Sequence, residues 1–240
     1  MQDFIRMVAR AAGAVSLALL PMGASAEGVV TGAEVGLDYS SLADAGARGT
    51  HKTTLEGALE YGLTPRVGLQ FDLAQSYFGA ANVSGTAFTT HAIFHADGGL
   101  SLGGYLGHEW VDGDDASHYG AELRKSFGNT TVSGDFGKID TGTRMVTSYG
   151  FGADMMMNDQ LTLGASYQAL DTSTNDMMRA DARLSYALPS GVEISGSLGL
   201  MDGDGMNTEA TFGLGIHTSF GSGRGVSFDR RGLMAFLPGS

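Results

Sequence analysis

Residues 53–73 carry the pattern that constrains the fold most strongly, because apolar and polar side chains alternate there with a period of two. Leu55 and Leu59 alternate with Glu56 and Glu60, and the same alternation resumes after a turn around Pro65. Successive side chains of a β-strand point to opposite faces, so this period predicts strands. The tight turn predicts that the two strands pair as a hairpin with one apolar and one polar face.

The same period recurs from residue 29 to residue 220 and predicts about twelve strands. Short turns are expected around Thr64, Asp97, Asn129, Asp159 and Ser190, and they alternate with longer, more polar loops expected around Ala45, Asn82, Asp114, Gly142, Ser173 and Gly205. An even number of strands with alternating short and long connections is typical of outer-membrane barrels. We therefore predict an all-β fold, a closed antiparallel up-and-down transmembrane β-barrel of about twelve strands. The alternative is a secreted β-sandwich, but the many small residues on the polar face favour the barrel.

The first 26 residues have the features of a signal peptide. Arg6 and Arg10 precede a short apolar run at 11–20, and Ala-Ser-Ala at 24–26 fits a cleavage site. The predicted organisation is therefore a signal peptide at 1–26, a barrel at 27–220 and a C-terminal tail at 221–240.

Composition excludes several classes of function. The formal charge of −12 argues against nucleic acid as a partner. The chain has no cysteine, so it has neither disulfides nor thiolate metal sites. No nucleotide-binding motif is present, and the glycine-rich stretch at 221–225 does not lie between a strand and a helix. No cofactor is expected.

Two stretches resemble segments of a known superfamily. Residues 126–142 (SFGNTTVSGDFGKIDTG) look like porin strand-turn-strand segments, and residues 213–220 end in an aromatic residue like the signal that the barrel-assembly machinery reads. With the signal peptide and the hairpin pattern, the chain resembles the Gram-negative outer-membrane porin superfamily in a small form.

The resemblance implies a channel in the bacterial outer membrane for passive diffusion of ions and small hydrophilic solutes. Its partners would be outer-membrane lipid and lipopolysaccharide, the barrel-assembly machinery and the solutes, with a homo-oligomer as one option. The chain departs from the superfamily in having no long constriction loop. It also continues past Phe220 into a tail with three arginines and an apolar run at 233–237, which is either a periplasmic extension or a sign that the last strands are miscounted.

The polar face of the strands supplies the candidate site. The predicted pore-lining residues are Lys52, Glu56, Glu60, Arg66, Gln70, Asp72, Glu122, Arg124, Arg179, Asp181, Arg183 and Glu193. With Glu34, Asp38, Glu109 and Asp154 on the same face, acidic side chains outnumber basic ones. A narrow channel lined mainly by one sign of charge concentrates counter-ions, so an open pore is expected to prefer cations weakly. Alternatively, acids and bases pair across the lumen and close it.

Two other functions are considered. A non-conducting structural or adhesion barrel is the main alternative to a channel. A barrel-embedded lipid hydrolase is the next, with His108 beside Trp110, or His91 and His95, as candidate bases. No sequence motif joins a serine to these histidines, so no catalytic residue is predicted. The acidic stretches at 112–115 and 202–205 lack the EF-hand spacing and are interpreted as solvated loops, so no metal site is predicted.

Overall fold

Twelve antiparallel strands close into a barrel in the computed structural model, which describes residues 28–43, 50–79, 81–172, 175–205, 207–221 and 223–238. The strands are β1 (Val29–Leu42), β2 (His51–Gly62), β3 (Val67–Phe78), β4 (Val83–Ala96), β5 (Leu100–Val111), β6 (Asp114–Phe127), β7 (Thr130–Asp140), β8 (Met145–Met156), β9 (Leu161–Asp171), β10 (Asp176–Ala187), β11 (Val192–Gly203) and β12 (Glu209–Phe220). Each strand pairs with its neighbours in sequence, and β12 pairs with β1 to complete the ring. The predicted fold and strand number are confirmed, and the sandwich is excluded because these strands form one closed sheet. The predicted signal peptide lies outside the described residues.

Alternation along each strand separates an apolar outside from a polar inside. Leu106 and Leu198 are 65% and 72% exposed on the outer wall, whereas Glu60 and Gln70 are fully buried inside. A soluble protein rarely exposes an apolar surface of this extent. Several outward aromatic residues lie near strand ends, as in the girdles of membrane barrels: Tyr39, Trp110, Phe127, Tyr186 and Phe220.

The connections are more even in length than the sequence suggested. β1 begins and β12 ends at the end of the barrel that carries the five predicted short turns, which we call the turn end; the opposite end is the loop end. Several strands extend into the expected loops. The prediction of an acidic loop at 112–115 is wrong, because β6 already begins at Asp114. Only Asp112 and Gly113 join β5 to β6, with φ of 51° and 95°. A two-residue hairpin turn needs such positive φ angles, which glycine and aspartate tolerate.

The tail is not a periplasmic extension. After β12 the chain turns back, and residues 223–238 lie inside the barrel; we call this segment the plug. It contains the one short helix, α1 (Leu233–Phe236), in the described part of the chain. No described helix is long and apolar enough to cross a membrane.

Candidate functional site

The plug follows the inside of the barrel from the turn end to the loop end. Near the turn end the backbone N–H of Gly225 donates to the carbonyl of Thr31 over 3.1 Å. Near the loop end α1 reaches Lys52, at the start of β2. Among the described residues, the Gly225 bond is the one backbone–backbone hydrogen bond between plug and barrel. Side chains therefore supply nearly all polar contacts that hold the plug.

Gln70 fixes the middle of the plug. Its side-chain oxygen accepts from the backbone N–H groups of Ser227 and Phe228, each over 3.1 Å, and its amide nitrogen donates to the Phe228 carbonyl over 2.7 Å. The Phe228 ring stacks on the imidazole of His91 with 6.1 Å between ring centroids. Gly103 leaves room for that ring, because a Cβ added there would lie 2.7 Å from a Phe228 ring carbon. The inner wall is thus shaped to the plug at this level.

Arg231 makes the most complete ionic contact of the plug. Its Nε donates to Glu122 over 2.8 Å and its Nη1 donates to Asp135 over 2.9 Å. The guanidinium carbon lies 5.9 Å from the centre of the Tyr105 ring, within range of a cation–π contact. His91 holds the other oxygen of Glu122 over 2.6 Å. Burial disfavours the charged form of Arg231, but the adjacent carboxylates outweigh it and raise its pKa above the ordinary value.

The other two arginines of the plug are held less completely. The Nε of Arg230 lies 3.2 Å from Glu56, but Nε and Nη1 are buried without a hydrogen bond of good geometry. Arg224 is about one-third exposed, and its Nε lies 3.3 Å from Glu60. Each arginine nevertheless lies against a carboxylate of the wall, so the charges of plug and lumen are complementary.

Side chains of the wall satisfy both ends of α1. Glu109 accepts from the N–H groups of Leu233 and Met234 over 2.9 and 3.0 Å, which are among the groups a helix start leaves unpaired. Lys52 donates to the carbonyls of Met234 and Leu237 over 2.6 and 3.0 Å. The ring of Phe236 completes an apolar cluster across the loop end of the lumen, with Ala116, Ile139, Val146, Leu170 and Met201. The plug thus packs an apolar side chain against the wall at the loop end, beside the polar contacts of α1.

Most of the predicted pore-lining residues are on the inner wall, and most of those contact the plug. The residues in direct contact are Lys52, Glu56, Glu60, Gln70, Glu122, Arg124 and Arg179. Two more hold these in place: Asp72 binds Gln70 and His91, and Asp181 binds Arg179.

The last three predicted residues make no hydrogen bond or ion pair with the described part of the plug. Arg183 pairs with Asp154 over 2.8 Å on the more open side of the lumen, and Glu193 lies opposite His217 in the β11–β12 register. The structure places Arg66 outside the lumen, contrary to the prediction. It lies in the turn before β3, where its exposed side chain pairs with Asp97 of the next turn over 3.1 Å. The turn that contains Pro65 also includes Arg66, so β3 begins one residue later than the alternation suggested, at Val67.

Sequence reasoning missed the partners supplied by the plug and by β5 and β7. Asp135 and Tyr105 lie on the polar face of their strands but are not among the predicted pore-lining residues. The sequence prediction also leaves Arg230 and Arg231 in a tail without contact to the lumen. The available signal was charge: a basic tail follows a barrel whose polar face is acidic. Nothing in the local pattern pairs Arg231 with a residue 109 positions earlier.

One group of inner-wall residues has the composition of a metal site. Ligand atoms of Asp38, Glu56 and His217 lie within 4.8 Å of one another. His217 already bonds to Glu34 over 3.1 Å and to Asp38 over 3.0 Å, and the plug's Arg230 lies against Glu56. His217 and Arg230 thus supply the positive partners of these carboxylates, and no metal ion is needed to explain the group.

The outer wall carries a serine–histidine–aspartate group that the sequence did not indicate. His108 Nδ1 lies 2.8 Å from Ser117 Oγ, and its Nε2 lies 3.4 Å from Asp115. The three residues come from the β5–β6 hairpin, near the loop end, and the His108 ring packs against Trp110 at 4.4 Å. Of the histidines considered as bases, His91 and His95 point inward and contact the carboxylates Glu122 and Glu60.

Comparison of the structure with solved structures places the fold. It superposes on the KdgM porin with a TM-score of 0.61, 12% sequence identity, and coverage of 78% of this chain and 99% of KdgM. The chain has the fold of outer-membrane porins. The NanC porin gives a TM-score of 0.60 with 8% identity, covering 77% of this chain and 98% of that one. Omp33 of Acinetobacter baumannii gives 0.53 with 13% identity, covering 81% and 100%. No protein-family model matches the sequence, and the search of curated proteins gives no match.

Proposed function

We propose that this porin-like barrel is an outer-membrane channel for ions and small hydrophilic solutes, and that the plug closes it in the state described above. The observation that carries the proposal is a polar lumen occupied by a segment that is tethered to the wall through β12 and otherwise held mainly by side chains. Such a segment can leave without separating any pair of strands. The porin fold, the apolar outer wall and the polar inner wall support the membrane location and the transport role.

The charge of the wall favours cations once the plug is displaced. Carboxylates outnumber Lys and Arg side chains on the described inner wall: the acids are Glu34, Asp38, Glu56, Glu60, Asp72, Glu109, Glu122, Asp135, Asp154, Asp181 and Glu193, against Lys52, Arg124, Arg179 and Arg183. Withdrawal of the plug removes three arginines and makes the lumen more acidic. Counter-ions accumulate in a narrow passage of one sign, so cations should pass more readily than anions.

A disulfide that locks the plug tests the channel. A Cβ at Gly85 would lie 2.9 Å from the Sδ of Met234, so the side chains at these two positions adjoin each other. The chain has no cysteine of its own, so an oxidised Gly85→Cys/Met234→Cys variant can contain only this bridge, and mass spectrometry checks that it has formed. In planar bilayers the oxidised protein should be silent, and reduction should restore cation-selective openings.

The single-cysteine variants are the matched controls, and they should respond equally to oxidant and reductant. A reduced double variant that is folded, inserted and always silent would favour the non-conducting structural or adhesion barrel. Openings that persist in the bridged protein would show that the plug does not control the pore.

A second candidate function is lipid hydrolysis by Ser117 with His108 as base, since these side chains are within hydrogen-bond reach at the lipid-facing rim. It ranks below the channel because the β5–β6 and β6–β7 ladders occupy the backbone around Ser117, where an oxyanion would need free donors. Hydrolysis of a fluorogenic phospholipid by the purified protein, abolished in Ser117→Ala and retained in His51→Ala, would support it. No turnover, or turnover unchanged in Ser117→Ala, would exclude it.

A further inference from the structure

The seat of Arg231 has the composition of a guanidinium receptor. Glu122 on β6 and Asp135 on β7 are direct partners across the two strands, so their carboxylates face one point of the lumen. The two carboxylates accept hydrogen bonds from two different nitrogens of the Arg231 guanidinium group, and the Tyr105 ring lies beside that group. A planar fork is matched by two convergent acceptors in a way that a compact ammonium is not.

Neighbouring groups hold the receptor in shape. His91 bridges Glu122 and Asp72 over 2.6 and 2.9 Å, so the Glu122 carboxylate keeps its orientation through a second partner on the wall. A small cavity of about 30 Å³ adjoins Asp135, Arg231 and Tyr105, enough for about one water molecule. The receptor thus belongs to the barrel, whereas the guanidinium in it belongs to a segment that is held mainly by side chains.

We propose that Glu122, Asp135 and Tyr105 form a binding site for guanidinium-bearing solutes in the lumen, and that Arg231 occupies it as an internal ligand. A solute with a guanidinium group competes with Arg231 and thereby weakens the hold of the wall on the plug. The inference rests on the proposed channel for its transport role, but binding itself does not depend on conduction.

Cysteine labelling of the plug measures this competition. Ser227 is 7% exposed in the plug, so Ser227→Cys reacts with a maleimide mainly when the plug leaves its seat. In the full-length Ser227→Cys barrel, agmatine should accelerate labelling, whereas cadaverine, a diamine of equal charge without a guanidinium, should not. Equal effects of the two cations would show a general acidic surface and overturn the proposal.

Removal of Arg231, the internal ligand, should reverse the effect of a guanidinium ion on the labelling rate. In Arg231→Ala/Ser227→Cys the seated plug encloses the two carboxylates without a counter-charge, whereas water solvates them when the plug is displaced. Methylguanidinium therefore stabilises the seated state more and should slow labelling about tenfold, the effect of one charge-assisted contact. Methylammonium should have little effect, and Glu122→Gln/Asp135→Asn in the same background should abolish the response. A response that survives loss of both carboxylates would overturn the site. If Arg231→Ala does not fold, the agmatine comparison still decides.

The two proposals fail separately. A barrel with guanidinium-selective labelling that never conducts refutes the channel alone. A barrel that conducts under control of the plug but treats agmatine and cadaverine alike refutes the guanidinium site alone.

Discussion

Replacing Arg231 by glutamine should open the barrel. The change removes two charge-assisted hydrogen bonds, of 2.8 and 2.9 Å, from a side chain that is 9% exposed. Breaking one partner of a buried ion pair costs about 3–5 kcal/mol. Glu122 keeps its bond to His91, so the lower value, about 3 kcal/mol, is the appropriate one. At about 1.4 kcal/mol per tenfold, the equilibrium between seated and displaced plug should shift about 100-fold.

Arg224→Gln is the matched control. It removes the same charge from the same segment, but Arg224 is about one-third exposed and its partner Glu60 retains Thr31. Glu60 is buried, but it keeps Thr31 at 3.0 Å and His95 at 3.4 Å when Arg224 is replaced, and water already screens the partly exposed guanidinium. The loss should therefore stay near the upper value for a surface pair, about 1 kcal/mol, and the shift should be about fivefold or less. The open fraction in single-channel recordings and the labelling rate of Ser227→Cys both report the equilibrium. If Arg231→Gln and Arg224→Gln open the barrel equally, net charge rather than the buried contact holds the plug.

Further substitutions test other contacts of the plug. Gly103→Val should expel the Phe228 ring and raise the open fraction, whereas Gly104→Val, whose added Cβ meets only ordinary contacts, should not; equal behaviour would argue against a shaped seat. Lys52→Met leaves the carbonyls of Met234 and Leu237 without their donor at a cost of about 1–3 kcal/mol, so a maleimide should label Ser227→Cys in the plug faster. Unchanged labelling would show that Lys52 is dispensable for seating. Asp229 is exposed within the lumen, and the nearby Arg231, Arg183 and Arg124 lower its pKa; the carboxylate therefore stabilises the plug at neutral pH, and this contribution falls away as the pH drops below about 4. The acid-induced rise in open fraction should be smaller in Asp229→Asn, and an identical pH profile would refute that role.

The sequence predicts the wall well because each strand repeats a local rule. Leu55 and Glu56 sit on opposite faces for a reason that needs no knowledge of the rest of the chain. The same rule gave the strand number and the inner position of Glu122. It could not give the turn at Asp112 and Gly113, because acidic residues suit both a solvated loop and a two-residue turn.

The plug is outside the reach of that rule. Residues 223–232 have no period, and α1 is one helical turn whose ends are satisfied by the distant side chains Glu109 and Lys52. The contact of Arg231 with Glu122 depends on barrel closure, which brings residues together that are far apart in sequence. Only the opposite charges of tail and wall are visible without the structure.

The direction of the plug has a practical consequence for protein production. The plug enters at the turn end and Pro238 follows α1 at the loop end, so any polypeptide attached after it has to pass through the lumen before the plug can seat. A folded fusion partner at that position is too wide to pass and would hold the plug outside. A carboxy-terminal fusion would therefore be studied in a different state from an untagged barrel, and epitope tags are better placed in the connections of the turn end.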